Sequence, residues 1–133
     1  MAWVEIFAVF VVSHLVGDFL LQTNWQAQHK HGGLGPDPMS RRALLSHIAT
    51  YTLAFVPSFI WLASSLDAGA LVAVVALVAL PHLIQDDGRL LQAYFRRVKH
   101  LDGPPGEILA VAVDQSFHIT TLLLVALLAE AIA

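Results

Sequence analysis

The sequence predicts an all-α fold, a bundle of four transmembrane helices in antiparallel, up-and-down order within a single membrane domain over 1–133. Three observations predict it. The chain of 133 residues is 57% hydrophobic and only 13% charged, where a soluble domain carries about a quarter charged residues. Its mean hydropathy is +0.69. Four segments, 2–21, 43–62, 68–91 and 108–133, reach the roughly 20 mostly apolar residues that a bilayer crossing needs. The same figures exclude a multidomain enzyme and a disordered charged tail. Seven Lys+Arg against ten Asp+Glu give a net charge of −3, which leaves no basic face for nucleic acid. Cysteine is absent, so there is no disulfide framework and no thiolate metal site.

The elements follow in order. The first span lacks a basic start, carries Glu5 and contains His14 and Asp18, so it reads as a retained helix rather than a cleaved signal. The stretch from Gln22 to Arg42 is rich in Gly, Pro and amides and reads as a polar loop. The second span contains Pro57 and the third Pro81, prolines that neighbouring helices tolerate in membranes and that kink a helix. Ser64–Asp67 is a tight turn in which Ser65 or Asp67 caps the third helix. A third connection, running from Tyr94 to Glu107, ends in Pro104-Pro105-Gly106, a breaker just before the last helix.

Charge sets the orientation. Lys30, Arg41 and Arg42 lie in or beside the first loop, and Arg89, Arg96, Arg97 and Lys99 in or beside the third. The other connection and both ends carry none, which places the two long loops in the cytoplasm and both termini outside. Trp3, Trp25 and Trp61 fall near span ends, as interfacial anchors do.

Ionisable groups inside spans are costly and mark function. Here they are His14 and Asp18 in the first span, His47 in the second, His82, Asp86 and Asp87 in the third, and Asp114 and His118 in the fourth. His14/Asp18, His82/Asp86 and Asp114/His118 are i,i+4 pairs, so each pair shares one helix face. With the predicted directions, each carboxylate lies about 6 Å nearer the cytoplasm than its imidazole. The carboxylates then sit roughly 5–10 Å deep, the three imidazoles roughly 10–16 Å deep, and His47 about 8 Å deep. Seven groups, His14, Asp18, His47, His82, Asp86, Asp114 and His118, are expected to converge on one site open to the cytoplasmic side.

Imidazole and carboxylate together are the ligands of catalytic zinc and of non-haem iron or manganese, and helix bundles build such sites at i,i+3 or i,i+4 spacing. The expected cofactor is a divalent transition metal, zinc first and iron or manganese next, as one or two ions. His14, His82 and His118 are the expected imidazole ligands. Asp18, Asp86 and Asp114 either ligate a second ion or supply a catalytic general base. Gln22, one turn beyond Asp18, and Gln115, beside Asp114, would orient ligands or link helices, and Gln85 likewise. Asp87 and Arg89 read as an ion pair or a solvated helix end. Ser46 and Tyr51 read as packing, and His29, Lys30 and His31 as a solvated loop. With no serine, cysteine or lysine expected near the cluster in a nucleophile–base arrangement, covalent catalysis is disfavoured.

HLVGDFLLQTNW (His14 to Trp25), a histidine in the second span, His-x-x-x-Asp in the third and DQSFH (Asp114 to His118) resemble a family of small bacterial membrane proteins, domain of unknown function 3307. The resemblance covers essentially the whole chain, and its H-x-x-x-D-F-x-L-Q and D-Q-x-x-H segments are the most specific parts. It implies a four-helix integral protein of the bacterial inner membrane without an established activity. The family residues carry over as His14, Asp18, Gln22, His82, Asp86, Asp114, Gln115 and His118. The pattern is loosely similar to membrane-bound metal-dependent hydrolases as well, a likeness that does not transfer a reaction.

The function expected first is a metal-dependent membrane hydrolase acting on a lipid or lipid-linked phosphate. The ion would lower the pKa of water and polarise the scissile bond. Two alternatives use the same residues: an ion or proton transport component, which with four helices would need a dimer, and a non-catalytic subunit whose His–Asp hydrogen bonds fasten helices. The expected partner is membrane lipid, with no nucleic acid; a homo-oligomer is left open.

Overall fold

The structure, a computed structural model, describes residues 1–133 and is built from helices alone. Helix α1 spans Trp3–Leu15 and continues as a π-helical turn over Val16–Leu21. A short α2, Asn24–His29, is closed at its start by a reciprocal cap in which Thr23 accepts from the Gln26 N–H and Gln26 accepts from the Thr23 N–H. This helix lies inside the stretch expected to be loop, and the Thr-x-x-Gln pattern is its sequence signature.

Helix α3, Pro38–Ala54, starts five residues before the expected second span because Asp37 caps it, accepting from Ser40 N at 2.8 Å, with Pro38 in the first turn. The Asp37 carboxyl is held below the usual range by that N–H and by the Ser40 side chain. Helix α4, Val56–Leu62, follows after a bend of 46°. Pro57, in the first turn of α4, cannot continue the α3 hydrogen-bond ladder, so the expected second span is two helices.

Helix α5 is capped by Asp67, which accepts from Ala70 N at 2.8 Å, and runs Ala68–Asp86 with Pro81 inside it. It ends five residues short of the expected Leu91, because Gly88 adopts the left-handed conformation at φ 83°. Helix α6, Arg89–Arg97, then occupies the expected end of the third span and the start of the third connection. Helix α7 spans Glu107–Ala131, immediately after Pro104-Pro105-Gly106.

Three helices, α1 with its π turn, α5 and α7, are long and apolar enough to cross a membrane, and α3 with α4 makes a fourth if the bent pair is one span. The Trp3 N–H donates to Glu130 at 3.2 Å while His14 meets Gln115, so α1 and α7 lie side by side in opposite directions. Between them and α3–α5, Phe10, Phe55, Val74, Val78, Leu122 and Val125 form an apolar core, with Phe10 edge-on to Phe55. Large apolar side chains such as Leu20, Ile60, Val72 and Ile108 face outward. With the core filled by small contributions from each helix, the polar groups of α1, α3, α5 and α7 gather beyond it.

Close approach at Gly17 lets the π turn meet α3. A Cβ there would stand 2.6 Å from Tyr51 Cδ2 and 3.3 Å from its Cα. Gly17→Ala is therefore expected to destabilise the protein by about 1–3 kcal/mol, read as a lowered melting temperature in detergent. An unchanged temperature would mean that the Tyr51 ring gives way freely.

Candidate metal centre

Each polar side chain reaches the centre for a local reason. The i,i+4 spacing on α5 turns His82 and Asp86 to one face, and α3 presents His47 and Tyr51 at the same spacing. The π turn, whose wider winding is frequent at functional sites, carries Asp18 inward. All of His14, Asp18, His47, His82, Asp86 and His118 are buried.

Four donor atoms face one another. His47 Nε2 lies 3.2 Å from His82 Nε2, 3.3 Å from Asp18 Oδ1 and 2.8 Å from Asp86 Oδ2. His82 Nε2 lies 3.2 Å from each of Asp18 Oδ1 and Asp86 Oδ2. Donors around a tetrahedral ion with bonds of about 2.0–2.1 Å are about 3.3 Å apart, and around an octahedral ion about 3.0 Å. The observed spacings cover both. Asp18 Oδ1 is buried and makes no hydrogen bond, although two imidazole nitrogens stand close to it. Its neighbours thus converge without lying along N–H···O directions. The buried His/Asp group could hold a metal ion, and its donor set suits zinc, iron or manganese.

A second group, Asp86, Asp114 and His118, shares Asp86 with the first. His118 Nδ1 donates to the Asp114 carbonyl at 2.8 Å, while its Nε2 stands 3.3 Å from Asp86 Oδ1 without a hydrogen bond. That nitrogen is buried beside a carboxylate oxygen with no hydrogen-bond partner of its own, as a ligand atom for a cation would be. Asp114 is the more open member, its side chain 25% exposed.

His14 lies outside both groups. Its Nε2 meets Gln115 Oε1 at 2.9 Å and its Nδ1 meets the Tyr51 hydroxyl at 3.2 Å, with Asp18 Oδ2 at 3.6 Å. Gln115 in turn donates to Asp114 at 3.3 Å. Both ring nitrogens are engaged by neutral side chains, so His14 braces the cluster from the side. Of the seven groups expected to converge, the structure brings six into the two donor groups, with Asp86 common to both. Gln85 ties α5 to α7 instead, donating to Thr121 Oγ1 at 2.8 Å.

Several residues belong here that the sequence reading set elsewhere. Lys30, expected in a solvated loop, is buried, and its ammonium donates to Asp86 Oδ2 at 2.8 Å. A lysine therefore does stand at the cluster, as the ion-pair partner of Asp86, and the solvated-loop reading of Lys30 is corrected. With the Gln22 amide oriented to satisfy both neighbours, its Oε1 accepts from Lys30 Nζ at 2.8 Å and its nitrogen donates to the Asp18 carbonyl at 3.1 Å. Tyr51 does more than pack. Its ring lies parallel to His82 with centroids 3.5 Å apart, and its hydroxyl holds His14. Ser46 accepts from the buried Gln26 at 3.2 Å, fastening α2 to α3. Asp87 is buried rather than solvated. It pairs with Arg89 at 3.1 Å, accepts from Leu34 N at 2.8 Å, and its carbonyl accepts from Gly32 N. Those bonds strap the segment after Lys30 against the end of α5.

The chain matches no curated protein and no solved structure. A family model described as "Protein of unknown function (DUF3307)" matches residues 6–132, a stretch that takes in every residue of both donor groups. The chain belongs to that family.

Proposed function

We propose that this chain is an integral protein of the bacterial inner membrane with four spans, both long loops cytoplasmic and both termini outside. In this reading its His/Asp cluster holds one or two divalent transition-metal ions and serves hydrolysis of a lipid or lipid-linked phosphate at the cytoplasmic leaflet. The observation that carries the reading is the mutual spacing of His47 Nε2, His82 Nε2, Asp18 Oδ1 and Asp86 Oδ2, 2.8–3.3 Å over the five pairs described. Outward apolar side chains, and basic residues that all lie in or beside the two long connections, support the membrane part.

A bound ion would supply Lewis acidity toward a phosphoryl oxygen and toward water. The chain supplies the rest. Asp18, Asp86, His47, His82 and His118 bind, the Asp114 carboxylate at the open side takes a proton as general base, and Gln22 and Gln115 hold Lys30 and His14 in place. One observation favours a second reading. Lys30 already gives Asp86 a cationic partner, as a metal-free polar lock between helices would require.

Metal analysis separates the two. Protein purified in detergent and reconstituted with zinc, iron or manganese is expected to retain about one equivalent or more per chain. Retention below about a third of an equivalent of each would leave the polar lock as the better account.

A further inference from the structure

A groove of about 430 Å³ lies between α6 and the 101–105 segment. Its apolar lining includes the buried Phe95 and the half-buried Leu91 and Leu101, and its exposed polar lining includes Arg96, Asp102 and His31. Arg96 and Asp102 make no ion pair with each other or with another side chain, so the groove offers both signs of charge beside the apolar Leu91, Phe95 and Leu101. An anionic occupant alone would set Asp102 against its charge, and an apolar one would desolvate two ions without compensation. A headgroup that carries a phosphate and an ammonium satisfies both.

Position points the same way. His31 follows Lys30, and Gly88, also in the lining, stands two residues beyond Asp86. The groove thus opens just past the end of α5 that carries Asp86, where Arg89, Arg96, Arg97 and Lys99 gather, the level of lipid headgroups in the proposed orientation. We infer that the groove seats the phosphoethanolamine headgroup of a membrane phospholipid, with Arg96 on the phosphate and Asp102 on the ammonium. This names a lipid class for the proposed site and rests on that reading for the bilayer and the leaflet.

The full chain in detergent micelles, titrated with dioleoyl phosphatidylethanolamine or dioleoyl phosphatidylglycerol and read by native mass spectrometry, tests it. Phosphatidylethanolamine is expected to bind about tenfold more tightly than phosphatidylglycerol. Arg96→Ala should weaken its binding about tenfold, and Asp102→Asn should erase the preference between the two lipids. Equal binding of both lipids to the unaltered chain, or unaltered phosphatidylethanolamine binding in both variants, would overturn the assignment. Both side chains are exposed and remote from the core, so the variants keep the fold. Metal content read on the same preparations tests the centre independently: Arg96→Ala is expected to keep its metal while losing lipid.

Discussion

Asp86→Ala is expected to be the most damaging single substitution in the chain, costing about 3–5 kcal/mol of stability and about 10 °C or more in melting temperature. The carboxylate accepts from Lys30 at 2.8 Å on Oδ2, stands within 3.2 Å of His47 and His82 on the same oxygen, and faces His118 at 3.3 Å on Oδ1. Its side chain is 1% exposed and that of Lys30 11%. Truncation leaves a buried ammonium with the Gln22 amide oxygen as its remaining acceptor, and an uncompensated buried charge is what makes such losses large. The double variant Lys30→Met, Asp86→Ala should then be more stable than Asp86→Ala alone, because the second change removes the stranded charge. Thermal unfolding of the four proteins of this cycle in one detergent measures both. A melting temperature for Asp86→Ala equal to that of the unaltered chain would show that the ion pair contributes nothing.

The second large effect concerns metal retention. Combining His47→Ala with His82→Ala removes both imidazole nitrogens of the four-atom group, and the expected loss of affinity is well beyond the 10–100-fold that follows removal of an outer partner alone. Metal content by elemental analysis should fall to background in the double variant. His14→Ala is the informative control. Its ring nitrogens are held by Gln115 and Tyr51, so that variant is expected to retain metal while losing the brace between α1, α3 and α7. Full metal content in the double variant would remove the four-atom group as the binding site, and loss of metal in His14→Ala alone would move the centre toward α1.

The i,i+4 pairs were legible because helix geometry converts sequence spacing directly into a shared face. His82 and Asp86 needed nothing else, and α1, α5 and α7 were legible from their long apolar runs. Spacing says little, however, about which ring nitrogen ends up engaged by whom. His14 has the same pairing as His82, yet the Gln115 amide and the Tyr51 hydroxyl reach it first. The end of α5 was readable in principle. Asp87-Gly88 offers the glycine that a left-handed helix terminus favours, but the apolar Leu90 and Leu91 beyond it extend the hydropathy pattern past the true boundary.

Lys30 is the residue that pattern reading had least means to find. It stands in a short run, HKH, bounded by the two glycines after His31, with no periodicity to orient it. Only the tertiary strap made by Asp87 to Gly32 and Leu34, together with α2 packed on α3 through Gln26 and Ser46, turns its side chain toward Asp86. A lysine in a polar connection is ordinarily solvated, and sequence alone holds no counter-signal here. Tyr51 is similar. Aromatic residues in apolar helices are normally packing, and its stacking on His82 depends on the bend and depth of α3.

The π-helical turn at Val16–Leu21 has a consequence for how this chain tolerates insertions and deletions. Such a turn holds one more residue than ordinary winding would use, so the segment works as a length reservoir. Excising a single residue within it would let the backbone relax to regular helical pitch while Ser13–Ser58 on one side and Gln26–Ser46 on the other stay in place. The same excision between Phe10 and the turn would swing the residues preceding it by about 100° about the helix axis, parting Phe10 from Phe55. Deleting one residue there would therefore redirect the Asp18 carboxylate while the rest of the bundle keeps its phase.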